Sequence, residues 1–113
     1  MHKRVEVEAI VLTMAQQIKA ELGDKLSSVI LYGSYARGDF EEYSDVDVMI
    51  LIDVPHERIN DYINIIVDIT DALVLEHCLI ISPILQSVEI FEKYKEASGF
   101  YKNVLNEGVH ISA

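Results

Sequence analysis

Leu31-Tyr32-Gly33-Ser34-Tyr35-Ala36-Arg37-Gly38-Asp39-Phe40-Glu41-Glu42-Tyr43-Ser44-Asp45-Val46-Asp47-Val48 is the stretch whose reading settles the rest of the chain. It starts at the end of a short apolar run, Val29-Ile30-Leu31-Tyr32, whose β-branched and aromatic residues suit a strand. Gly33-Ser34 closes that run, a polar segment follows to Ser44, and a second strand opens at Asp45 and continues to Ile52. Side chains alternate along a strand, so Asp45 and Asp47 leave from one face, roughly 6–7 Å apart at the backbone. Two carboxylates held ~5 Å apart repel by about 3 kcal/mol at an effective dielectric of 20. A divalent cation is the common remedy, and Mg²⁺ combines one or two carboxylates with substrate phosphates and its own waters.

The glycine end complements the acidic end. A strand that stops at Gly33-Ser34 and turns into a short helix presents backbone N–H groups and one hydroxyl to whatever lies beyond, which suits a triphosphate. Arg37, about one helical turn on, either adds a charge-assisted bond to phosphate or pins the loop by pairing with Asp39. Ser44, directly before Asp45, is placed to hydrogen-bond a carboxylate or a ligand.

Outward from this centre the pattern is helix, strand, loop, strand, helix, strand, helix. Ala9, Leu12, Ala15, Ile18 and Leu22 recur at three- and four-residue steps and predict a first helix over residues 5–22, stopped by Gly23. Pro55 starts a second helix with Ile59, Ile63, Ile66, Ile69 and Leu73 as its buried stripe and Asp61, Asn64, Asp68 and Asp71 outside. Leu79 to Leu85 reads as a third strand, with Pro83 marking an edge or a strand end. Residues 88–106 are helical in pattern with a break at Ser98-Gly99. The fold class expected is a small α/β (α+β) domain: a mixed β-sheet with helices packed on it, one domain over residues 1–113.

Composition narrows the function classes. Nine basic and 19 acidic residues leave a charge of −10. Nucleic-acid phosphates repel such a surface, so direct DNA or RNA binding is not expected. Half the residues are apolar, which excludes a disordered chain. The longest aliphatic run, Val48 to Ile52, is far short of the ~20 residues of a membrane span. The N-terminus carries neither a signal-peptide pattern nor a myristoylation glycine, so a cytoplasmic location is expected. A lone Cys78 forms no internal disulfide and reads as a small core residue. His2, His56, His77 and His110 lack ligand spacing.

Gly33-Ser34, ten residues, then Asp45-x-Asp47 resembles the signature of the DNA polymerase beta-like nucleotidyltransferase superfamily. Ala36-Arg37-Gly38 and Ser44 are similar to its small branch, the minimal nucleotidyltransferases, which include the MNT-type antitoxins of HEPN/MNT toxin–antitoxin pairs. The resemblance implies a palm-like fold and transfer of a nucleoside monophosphate, AMP from Mg-ATP or its equivalent from another nucleoside triphosphate, to a hydroxyl of a partner protein. It implies that Gly33, Ser34, Arg37 and Ser44 bind the nucleotide. Asp45 and Asp47 become the catalytic pair, holding one or two Mg²⁺. The implied partner is a HEPN-type RNase toxin in a hetero-oligomer. One departure stands out: the family's third carboxylate, on the neighbouring strand, falls here at Ile80, with Glu76 four residues away. Two other readings stay open: an antitoxin that neutralises its partner by binding alone and, less favoured, a small-molecule transferase of the aminoglycoside kind.

Bland readings compete at single positions. Asp39, Glu41 and Glu42 suit a solvated loop. Tyr32, Tyr35 and Tyr43 suit packing, with base stacking by Tyr35 the sharper alternative. Phe91, Tyr94, Phe100, Tyr101, Val104 and Leu105 either pack internally or form a partner surface.

Overall fold

Two strands with buried residues on both faces organise the molecule. In the computed structural model, which describes residues 3–41 and 44–111, β1 (Leu26–Tyr32) and β2 (Val46–Ile52) pair antiparallel, with Tyr32 opposite Asp47. They lie at the centre of a sheet ordered β3-β2-β1-β4, which explains why both read as continuous apolar runs. β3 (Ile81–Ser87) joins β2 in parallel on one side, and β4 (Val109–Ile111) joins β1 antiparallel on the other. Pro83 thus sits in an edge strand, as its missing N–H requires.

Helices cover the two faces unequally. α1 (Arg4–Leu22) and α3 (Ile63–His77) pack against Val29, Leu31, Val48, Ile50 and Ile52. α4 (Val88–Tyr94) and α5 (Gly99–Glu107) cover Ile30, Tyr32, Met49 and Leu51 through Phe91 and Val104. Asp47 has the parity of Met49 and Leu51, so it emerges on the α4/α5 side, where the cover is smaller. A short helix, α2 (Ser34–Arg37), links β1 to the loop before β2. The mixed sheet with packed helices is the architecture expected, and the break at Ser98 separates α4 from α5.

Several local expectations need correction. The buried face of α1 is Val7, Ile10, Val11, Met14, Ala15, Ile18 and Leu22, whereas Ala9 faces solvent and Leu12 is half-buried. Small alanines fit either face, so they misplace a stripe that the larger residues define. The segment after Pro55 is a 3₁₀ turn (His56–Tyr62) before α3 begins. The change from three to 3.6 residues per turn rotates Ile63 out to 39% exposure, while Ile59, Ile66 and Leu73 stay buried. Cys78 is exposed, not core: it caps α3 in the left-handed region, at φ 54°. Glu76 lies in α3 and not on a strand. β4 has no counterpart in the expected order. Expectations placed on His2, Glu42 and Tyr43 fall outside the described residues. Among the described residues, no helix is long and apolar enough to cross a membrane.

Candidate active site

The strand end and the acidic strand meet because β1 and β2 are antiparallel neighbours: β1 finishes beside the start of β2. Gly33 follows Tyr32 with φ 77° and ψ −153°, a region that is in practice reserved for glycine. A second constraint acts on the same atom. A Cβ built on Gly33 would collide with Asp47 Oδ2. The carboxylate of Asp47 therefore rests against the Gly33 Cα, and the turn and the acid form one surface.

That surface floors an open cleft of about 540 Å³, within the range of small-molecule sites. Gly33, Ser34, Arg37, Ser44, Asp45 and Asp47 all line it, so the six residues singled out by the sequence converge. The opposite wall is α5, through Phe100, Asn103, Val104 and Glu107. Tyr32 also lines it, its ring edge-on to Phe100 at 5.6 Å between centroids.

Charge is concentrated here. Burial, and next the neighbouring charge of Asp45, raise the pKa of Asp47; Glu107 adds to the rise and Arg37 opposes it. Burial first and then Asp47 push the Tyr32 phenol up to about 12, so it stays protonated. The Ser82 hydroxyl, 3.5 Å from Asp45 Oδ2, donates to it. An Asp47 carboxylate whose ionised form is disfavoured by burial and by its acidic neighbour is suited to a cation. Its donors are oxygens alone, which fits a hard ion such as Mg²⁺. Among the described residues no group of three or more His, Cys, Asp or Glu side chains is placed to hold a metal ion by itself.

The remaining candidates divide. Arg37 lines the cleft and makes the expected pair with Asp39, Nε donating to Oδ2 at 3.2 Å, while Nη1 donates to Glu107 Oε1 at 3.1 Å. Ser44 Oγ accepts from the Glu41 N–H at 2.7 Å and so closes the loop that delivers Asp45. Tyr35 is buried and stacks on Phe40 at 4.4 Å, which removes it from base recognition. The residue beside Asp47 on β3 is Ser82, not Ile80; Ile80 precedes the strand and accepts the Val46 N–H at 2.8 Å through its carbonyl. β3 itself carries no carboxylate.

The third carboxylate of the cleft comes from elsewhere. Glu107 Oε1 accepts from the Gly33 N–H at 3.3 Å and from Arg37 Nη1 at 3.1 Å. Seventy-odd residues of chain separate it from its partners, so no local motif reveals it. One signal exists: an acid in the last turn of a helix opposes the helix dipole, and such a local conflict often marks a functional position.

Residues 14–111 match the family described as Nucleotidyltransferase domain. The chain belongs to that family. A Methanocaldococcus jannaschii protein named "Putative protein adenylyltransferase" is 36% identical over 101 residues, which is 89% of this chain and 93% of that one. Two crystal structures share the fold at 16% identity, each covering 94% of this chain and 73% of the other. One is a toxin–antitoxin with AMP-PNP (TM-score 0.57), and the other is a mutant of the toxin–antitoxin MntA-HpeT (TM-score 0.56). The chain is thus a nucleotidyltransferase by family and by fold.

Proposed function

We propose that this nucleotidyltransferase moves AMP from Mg-ATP to a hydroxyl on a partner protein, a toxin of the HEPN type with which it forms a hetero-oligomer in the cytoplasm. The observation that carries the reading is the packing of the Asp47 carboxylate against Gly33, which makes acids and turn one surface. The name of the M. jannaschii relative supports a protein acceptor, and the toxin–antitoxin neighbours support a toxin as that acceptor. The −10 charge also disfavours a nucleic-acid acceptor.

On this reading Asp45 and Asp47 hold one or two Mg²⁺, which would neutralise phosphate charge and aid departure of the leaving group. Gly33 N–H, Ser34 and Arg37 orient the triphosphate, and Ser44 keeps the loop closed behind Asp45. The acceptor oxygen bonds to the α-phosphorus, the bond from that phosphorus to the β-phosphate oxygen breaks, and pyrophosphate leaves. The hydroxyl proton passes to solvent or to a base. The Tyr32 phenol, with its pKa near 12, remains a neutral wall.

The absence of a carboxylate on β3 favours a second reading, an antitoxin that neutralises by binding alone. Without a general base a transferase loses about 10²–10⁴ in rate. One experiment separates the two: the chain is incubated with a candidate HEPN-type partner and ATP labelled at the α-phosphate. Label on the partner, absent with Asp45→Asn, supports transfer. An unlabelled partner whose toxicity is still neutralised by Asp45→Ala and Asp47→Ala variants supports binding alone.

A further inference from the structure

Glu107 makes two contacts in the cleft, and both go to groups that the nucleotide reading assigns to phosphate. Its Oε1 accepts from the Gly33 N–H and from Arg37 Nη1, at 3.3 and 3.1 Å. A single carboxylate oxygen bound by a backbone amide and a guanidinium occupies the position that a phosphate oxygen would take between the same donors. Glu107 is the last residue of α5, followed by Gly108, whose N–H caps the helix on Val104. A Cβ on Gly108 would collide with the Val104 carbonyl and with Ile30, so the chain leaves α5 pressed against β1 and delivers Glu107 to one place. The side chain is only partly exposed, and a helix C-terminus is an unfavourable place for an anion. Local energetics do not explain Glu107; its cross-cleft partners do.

We infer that Glu107 is an internal anion of the nucleotide site: it holds the Gly33 N–H and Arg37 in the arrangement that receives a triphosphate oxygen, and the triphosphate displaces it. The inference rests on the nucleotide reading above and adds a residue to it. Glu107 acts as a competing group first, and the competition outweighs the positioning it gives Arg37. It keeps Arg37 from collapsing wholly onto Asp39, which already binds its Nε. It also sets how much charge a ligand must bring to gain entry. A ligand bearing a metal-bound polyphosphate replaces the carboxylate with more contacts than it breaks; a single weak anion does not.

The test is the affinity of the full chain for two probes, Mg²⁺·AMP-PNP and Mg²⁺·tripolyphosphate, by titration calorimetry. Glu107→Gln keeps shape and removes charge, Glu107→Ala removes the competitor, and Glu57→Gln, exposed near the far end of β2, controls for net charge. Both Glu107 variants are expected to bind each probe about three- to tenfold more tightly than wild type, with Glu57→Gln unchanged. The gain should shrink when Arg37→Ala is added, because the competition runs through that guanidinium. Equal or weaker binding by both Glu107 variants, with wild type binding normally, overturns the inference and makes Glu107 a supporting ligand. No binding by wild type or by either Glu107 variant overturns the nucleotide reading itself and this inference with it.

Discussion

At the scale of single residues, Gly33 and Asp47 carry the site together. Gly33→Ala puts a Cβ into a backbone region costing about 1–3 kcal/mol and into the space of the Asp47 carboxylate. It should lower stability by about that amount in urea unfolding and abolish Mg²⁺·AMP-PNP binding. Asp47 should behave in the opposite way. Its folded pKa lies above the unfolded value, so the folded state binds the proton more tightly. The ionised carboxylate therefore opposes folding at neutral pH. That penalty disappears as pH falls through the raised folded pKa towards the ordinary carboxylate range. Asp47→Asn is expected to melt higher than wild type at pH 7, with the gap closing by about pH 4, and to lose transfer. Thermal melts across that pH range check both. These two positions were legible in the sequence because their spacing is a motif. Glu107 was not, since only the fold brings residue 107 to residue 33. The exposed cap position of Cys78 is not legible either, because residue type alone does not reveal a helix cap.

Among the elements, α5 matters most, since it supplies the wall opposite the acids. Ser98 begins it, its hydroxyl accepting the Tyr101 N–H at 3.3 Å. Ser98→Ala should cost about 1 kcal/mol, as N-cap losses do, and loosen the α5 wall of the cleft, Phe100 included. Equilibrium unfolding reads the cost. The strands and α1 were legible because long periodic runs and flanking glycines announce them. β4 was not, because three residues after a helix acquire strand identity only from their pairing with β1. The 3₁₀ turn before α3 was also hidden, since its isoleucines continue the helical stripe by sequence.

For the whole molecule, both sheet faces are packed through shared central strands, so the chain is expected to unfold in one cooperative step. Calorimetric and van't Hoff enthalpies should agree. Mg²⁺·AMP-PNP at a hundredfold excess over its dissociation constant should add about 2.7 kcal/mol to that stability, and removing the metal with a chelator should reverse the gain. The central claim is that Asp45, Asp47 and the Gly33-Ser34 turn bound one site for a metal-borne triphosphate. Paramagnetic broadening tests it most directly: Mn²⁺ is titrated with AMP-PNP into isotope-labelled protein, and amide signals are followed by NMR. The account predicts that Gly33, Ser34, Asp45 and Asp47 broaden first, ahead of any residue of α1 or α3. Early broadening on the acidic outer face of α3, at Asp68 and Asp71, with those four signals untouched, would contradict it.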